Sequence, residues 1–182
     1  MLKRLCLLFN TVRFLKVKQI VYQVYYRIFR HVISEVTDAK VRTWKTRWAA
    51  PSWQSPSFLG RGKLRFLGKV GVIRAPEDWS STQYSRLWLY NLHYFDDLNA
   101  TDAHIRRSCQ LQLIDDWLSA NILKVGVGWE PYVLSLRIVN FVKYFSILSG
   151  ERSLDQCWVD SVATQAKALS NLLEFHILGN HL

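Results

Sequence analysis

A chain of 182 residues with eight Trp, eight Tyr and nine Phe, and with about half its residues apolar, excludes a disordered protein, which would be poor in aromatic and branched side chains. The length suits one domain with a sizeable core. The net charge of +10, from 24 Lys and Arg against 14 Asp and Glu, points to a polyanionic partner: nucleic acid, anionic lipid or an acidic polysaccharide.

The first 33 residues are basic and amphipathic. Leu5, Leu8, Phe9, Val12, Leu15, Ile20, Val24 and Ile28 fall near helical spacing with Lys and Arg between them. Such a stretch either lies on a membrane surface or packs on the rest of the fold. Tyr22, Tyr25, Tyr26 and Phe29, spread over more than one face, favour packing. The positive start at Lys3 and Arg4 leads into only a short apolar run before Asn10, and no small-residue cleavage site follows. An uncleaved, cytoplasmic or loosely membrane-associated protein is expected, without a stable membrane span, since no run reaches about 18 apolar residues.

Residues 34–84 differ in character. Pro51, Pro56 and Pro76, with Gly60, Gly62, Gly68 and Gly71, break any long helix, while 63–67 and 70–73 alternate enough for a short hairpin. The expectation is an irregular connector ordered by contacts of Trp44, Trp48, Trp53 and Trp79. Much of the positive charge excess lies before residue 75.

From residue 85 the pattern becomes helical. Residues 91–100 form a dense polar and aromatic patch, and Ile105, Cys109, Leu113, Ile114, Trp117 and Leu118 make a stripe of 3.6-residue period. Beyond a glycine-bearing turn at 125–128, Pro131 suits the first turn of a helix running to about Leu148, with Gly150 past its end. Ser153 is a candidate N-cap for a last helix through Trp158, Val162, Leu169 and Ile177, which Gly179 would terminate. Cys6, Cys109 and Cys157 lack metal or redox spacing and are expected to be buried, in a reducing setting. The chain therefore divides into a basic helix and connector at 1–84 and a helical domain at 85–182, with an all-α fold expected. Glu130 beside Arg137 suggests a buried ion pair holding the turn to its helix.

Three segments carry a more specific signal: Leu87-Trp88-Leu89-Tyr90-Asn91-Leu92-His93-Tyr94-Phe95-Asp96, then Gly128-Trp129-Glu130-Pro131-Tyr132 continuing into Ser135-Leu136-Arg137, then Leu173-Glu174-Phe175-His176-Ile177-Leu178-Gly179-Asn180-His181. In that order and at helix-sized spacing they resemble motifs of the heparinase II/III-like polysaccharide lyases; Thr11-Val12-Arg13 through Tyr26-Arg27 resembles the usual start of that family. Val133 departs from it, standing where a second proline is frequent. The resemblance implies the N-terminal part of an incomplete (α/α) toroid, with further helices and a β-sandwich following in the family, and β-elimination on uronic-acid polysaccharides.

That chemistry explains the residue types. The proton on the carbon beside the sugar carboxylate is barely acidic, so a neutral donor must hold the carboxylate as negative charge spreads onto it. The resemblance gives that role to Asn180, with His181 assisting; an amide donates two hydrogen bonds without titrating. The Tyr and His of proton transfer lie further along in the family, so this stretch by itself is expected to be inactive. Asn91, His93, Tyr94, Trp129 and Tyr132 are the candidate substrate-binding residues, each weighed against a plain structural role. No metal-ligand spacing is recognisable and no cofactor is expected. The partner expected is an acidic polysaccharide, with self-association through an exposed helical face. A non-catalytic acidic-glycan module is the alternative; a nucleic-acid or membrane-surface protein is a lesser one, because no nucleic-acid motif is present.

Overall fold

The computed structural model describes residues 10, 13–28, 33–42, 53–121 and 124–172. Among them are five α-helices: α1 (Val17–Ile28), α2 (Arg86–Tyr94), α3 (Arg107–Ala120), α4 (Pro131–Leu148) and α5 (Gln156–Asn171). They also contain three strands, β1 (Phe58–Gly60), β2 (Lys63–Phe66) and β3 (Lys69–Val72), in one antiparallel sheet of order β1-β2-β3. The fold is therefore mixed, and the all-α expectation is corrected: the region treated as an irregular connector carries a sheet, and the described residues show no toroid.

Local chemistry accounts for the sheet. In β2 the buried Leu64 and Phe66 alternate with exposed Lys63 and Arg65, the period of a half-buried strand. The β2–β3 register, Lys63 opposite Val72 and Phe66 opposite Lys69, is closed by Leu67 and Gly68. Both have positive φ, 54° and 75°, as a tight hairpin turn of this hand demands. The sheet then packs on α2. Phe66 meets Trp88 edge to face at 5.2 Å, Tyr84 stacks on Trp88 at 4.1 Å, and the Trp88 indole donates to the Lys69 carbonyl at 3.2 Å.

Gly71 lies against that ring so closely that a Cβ would sit 2.3 Å from Trp88 Cζ2. Gly71→Ala is expected to destabilise the chain by about 1–3 kcal/mol through overpacking. A urea melt would measure it; an unchanged midpoint would mean that the sheet does not rest on α2.

The helices follow their caps. Pro131 occupies the first turn of α4, and Gly150 lies just past its end, as the sequence suggests. The N-cap of α5 is Asp155 rather than Ser153. Residues 103–106 form a 3-10 turn before α3 instead of its first turn. In α1 the Gln19 side chain accepts from the Lys16 backbone N–H at 2.8 Å, returning a hydrogen bond to the helix start. Gln19 is buried and Ile20 half-buried, yet Val17, Val21 and Val24 face solvent, so the packing expected of this segment covers one face only.

A single apolar core runs from Leu64 and Phe66 through Trp79, Trp88, Phe95 and Trp117 to Phe141, Phe145, Trp158 and Ala168. A buried carboxylate ties the strands to the helices. Asp97 Oδ1 accepts from the Ser57 and Phe58 N–H groups at 2.8 and 2.9 Å, and Oδ2 accepts from Arg106 Nε and Gln110 Nε2 at 3.1 and 2.9 Å. Cys109 and Cys157 are exposed, against expectation: both occupy outward helix positions, while their neighbours Gln110 and Trp158 turn inward. Cys6, Trp44, Trp48 and Gly179 lie outside the described residues.

Candidate functional site

Helical geometry gathers one face of α2. Arg86, Tyr90 and Tyr94 recur at four-residue spacing, and Leu87 and Asn91 flank them, while Trp88, Leu92 and Phe95 turn into the core. The start of α4 faces this stripe. Tyr94 and Tyr132 meet edge to face at 6.0 Å, and Tyr90 lies 6.4 Å from Tyr94. Three tyrosines from two separate segments thus form one ladder, buried at Tyr94 and open at Tyr132.

An ion pair closes one end. Arg86 donates through one terminal nitrogen to both Glu130 carboxylate oxygens at 2.8 Å, and its Nε donates to the Tyr90 hydroxyl at 3.1 Å. The Tyr90 hydroxyl in turn donates to Glu130. The Glu130 hydrogen bond raises the Arg86 pKa above its usual value, with Tyr90 adding to it. Burial, then the hydrogen bond to Glu130, pushes the Tyr90 phenol up. Burial, reinforced by Tyr132 and Tyr90, pushes Tyr94 up to about 12. At neutral pH these two phenols are hydrogen-bond donors and stacking surfaces, not bases.

The anticipated Glu130–Arg137 pair does not form. Arg137 turns inward, fully buried, with its guanidinium 4.1 Å above the Trp117 ring. It donates from Nε to Gln165 Oε1 at 2.7 Å and from a terminal nitrogen to the His93 carbonyl at 3.3 Å. Burial lowers its pKa to about 9, which leaves it charged at neutral pH.

The five anticipated contact residues divide accordingly. Tyr94 and Tyr132 meet on the α2–α4 face, and Asn91 stands about one turn before Tyr94 on α2, with its Nδ2 donating to the Leu87 carbonyl at 2.7 Å. His93 and Trp129 instead lie inside. Both His93 ring nitrogens are engaged: Nε2–H donates to the Trp79 carbonyl and Nδ1 accepts from Trp117 Nε1, each at 2.9 Å. Gly128 packs over that ring, and a Cβ there would sit 2.7 Å from His93 Nδ1. The buried Trp129 borders a cavity of about 310 Å³ together with Trp117, Asn121 and Thr164. Asn180 and His181 lie outside the described residues.

Past Tyr94 the face continues along α4. Asn140 Nδ2 donates to the Tyr94 carbonyl at 2.9 Å and to Asp96 Oδ1 at 2.6 Å, and Asn99 Nδ2 donates to Asn140 Oδ1 at 3.1 Å. Beyond them opens a groove of about 840 Å³ whose walls include Lys143, Tyr144, Arg107 and His104. Trp53, 90% exposed, stands on its rim. The strap carrying it is pinned where the Gln54 carbonyl accepts from the Thr101 N–H and hydroxyl, at 2.9 and 3.1 Å. Tyr132 and Asn140 are about 12 Å apart along the helix at 1.5 Å per residue.

No family model, curated protein or solved structure matches this chain. What the face can do is judged from its chemistry. It offers the exposed Tyr132 ring, with amide and carboxylate groups beside it, the kinds of group that grip a hydroxylated ring. Among the described residues, no group of three or more His, Cys, Asp or Glu could hold a metal. Arg86 and the Trp53 groove were not singled out from the sequence, and Glu130 was singled out only as a partner of Arg137. The four-residue step from Arg86 to Tyr90 was a usable signal, whereas nothing local joined either residue to Glu130.

Proposed function

We propose that this chain is part of a polysaccharide lyase acting on uronic-acid polymers by β-elimination, and that the polymer lies along the α2–α4 face. The supporting observation is the contact of Tyr94 with Tyr132, drawn from two of the three motif segments, on a helix face that also carries Asn91. Asn180 is assigned the substrate carboxylate and His181 an assisting role, both from the motif resemblance. The chemistry removes the proton beside the carboxylate and expels the glycosidic oxygen with the electron pair of the broken C–O bond. Val139, Val142 and Ile147, which α4 presents to solvent, are the strip through which self-association is expected.

Titration of an alginate-type and a heparan-type polymer against the wild-type chain and Tyr132→Ala tests the placement. Loss of the exposed ring is expected to weaken binding about five- to tenfold, the worth of one aromatic contact. Equal affinity of the two proteins would remove the face from the reading. A second reading, a glycan-binding module without turnover, is favoured by one observation: the Tyr90 hydroxyl is held between Arg86 and Glu130, so the face presents rings and amides rather than a free acid–base pair. Ultraviolet absorbance from an unsaturated uronate product separates the two when it is measured on a protein that also carries the proton-transfer Tyr and His, since the module would bind without generating it.

A further inference from the structure

The face of α1 away from the core is apolar and exposed. Val17, Val21 and Val24 recur at helical spacing with 77%, 59% and 52% exposure, and Phe14 and Tyr25 extend the stripe at 64% and 43%. Exposed Arg13, Lys16 and Lys18 border it, with the Arg13 guanidinium 4.5 Å over the Phe14 ring. The surrounding sequence is one-sided in charge. Seven Lys or Arg and no Asp or Glu precede Glu35, so this stretch supplies most of the chain's net +10.

We propose that this face of α1 is a docking surface for an anionic lipid membrane, with the helix lying in the plane of the interface. One partner must meet both the apolar stripe and its cationic border. A polyanionic chain such as a glycan or nucleic acid would use the cations but offers nothing to a row of valines. An apolar protein surface would take the valines but not a border of uncompensated positive charge. The headgroup region of an acidic bilayer offers both: acyl chains for Phe14, Val17, Val21 and Val24, and phosphates for Arg13, Lys16 and Lys18. Tyr25 supplies a ring of the kind enriched at that boundary. The helix lies on the membrane and does not cross it, as no helix among the described residues is long and apolar enough to span. The surface is separate from the α2–α4 face and does not depend on what that face binds.

The experiment is co-sedimentation of the full chain with vesicles of phosphatidylcholine alone and of phosphatidylcholine with one-quarter phosphatidylglycerol. Binding is expected to the acidic vesicles only, and to weaken several-fold when salt shortens the screening length from about 10 to about 3 Å. The combined variant Val17→Asn, Val21→Asn, Val24→Asn, which leaves the charge unchanged, is expected to lose at least tenfold in vesicle affinity. Val21→Asn alone is expected to lose a smaller part, with an unchanged thermal melt because the side chain is already exposed. Vesicle binding that survives all three asparagines would overturn the proposal in favour of charge attraction alone. So would absence of vesicle binding, including the case in which Val21→Asn alters the sedimentation mass and a second copy proves to cover the stripe.

Discussion

Trp117→Ala is expected to leave the chain barely folded or unfolded at room temperature. The ring is buried at the centre of the molecule, edge to face with Phe95 and Phe141 at 6.1 and 6.4 Å, 5.9 Å from Trp129 and beneath the Arg137 guanidinium. Removing a ring so placed costs about 3–5 kcal/mol in lost burial and cavity. Its indole N–H is also the donor that satisfies His93 Nδ1, so the truncation orphans a buried acceptor at about 1–3 kcal/mol more. Together these approach the whole stability of an ordinary domain, about 5–15 kcal/mol. Trp117→Phe separates the contributions, since it keeps most of the ring contacts and removes the donor. It should cost about 1–3 kcal/mol. Urea unfolding of the three proteins measures both steps, and a Trp117→Ala midpoint within error of wild type would mean that the helices do not pack through this ring.

What could be read ahead of the structure was local, and what could not was distant. The Pro131 start and Gly150 finish of α4 follow from how proline and glycine limit the backbone, so that helix was legible residue by residue. The β2–β3 hairpin was visible in its alternation and its glycines, but β1 and the packing of the sheet on Trp88 were not, and the fold class was misjudged as a result. Glu130 shows the limit most clearly. Its sequence neighbourhood suggested Arg137, yet its partners are Arg86 and Tyr90, 44 and 40 residues earlier. Arg137 gave up that pairing to stack on Trp117, itself a long-range contact. His93 was ambiguous for a related reason. A histidine between Leu92 and Tyr94 can face solvent or core, and only the positions of Trp79 and Trp117 decide. The stripe of Asn91 and Tyr94 was legible as a helix face, while its completion by Tyr132 required α4 to be in place.

His93 makes folding stability drop as the pH is lowered through a range where exposed histidines have little effect. Burial, with the nearby Arg137 charge adding to it, lowers its pKa from 6.5 to about 3 in the folded chain. The folded imidazole therefore stays neutral while the unfolded one takes up a proton as pH drops below 6.5. The unfolded state then binds more protons, so stability rises with pH across this window and is lost as pH falls. Its contribution is complete above about pH 6.5 and declines toward pH 3, by about 1.4 kcal/mol per unit in the middle of the range. The neutral form is also the one the structure requires, because a proton on Nδ1 would face the Trp117 N–H. His93→Gln offers an amide oxygen to Trp117 and an amide donor to the Trp79 carbonyl without titrating. The variant should be less stable than wild type at pH 8, through imperfect fit, and the gap should narrow steadily as the pH is lowered to 4. Urea unfolding at half-unit steps tests this. Parallel curves for the two proteins would show that His93 is protonated alike in the folded and unfolded chains, and the closed Trp79–His93–Trp117 arrangement would have to be abandoned.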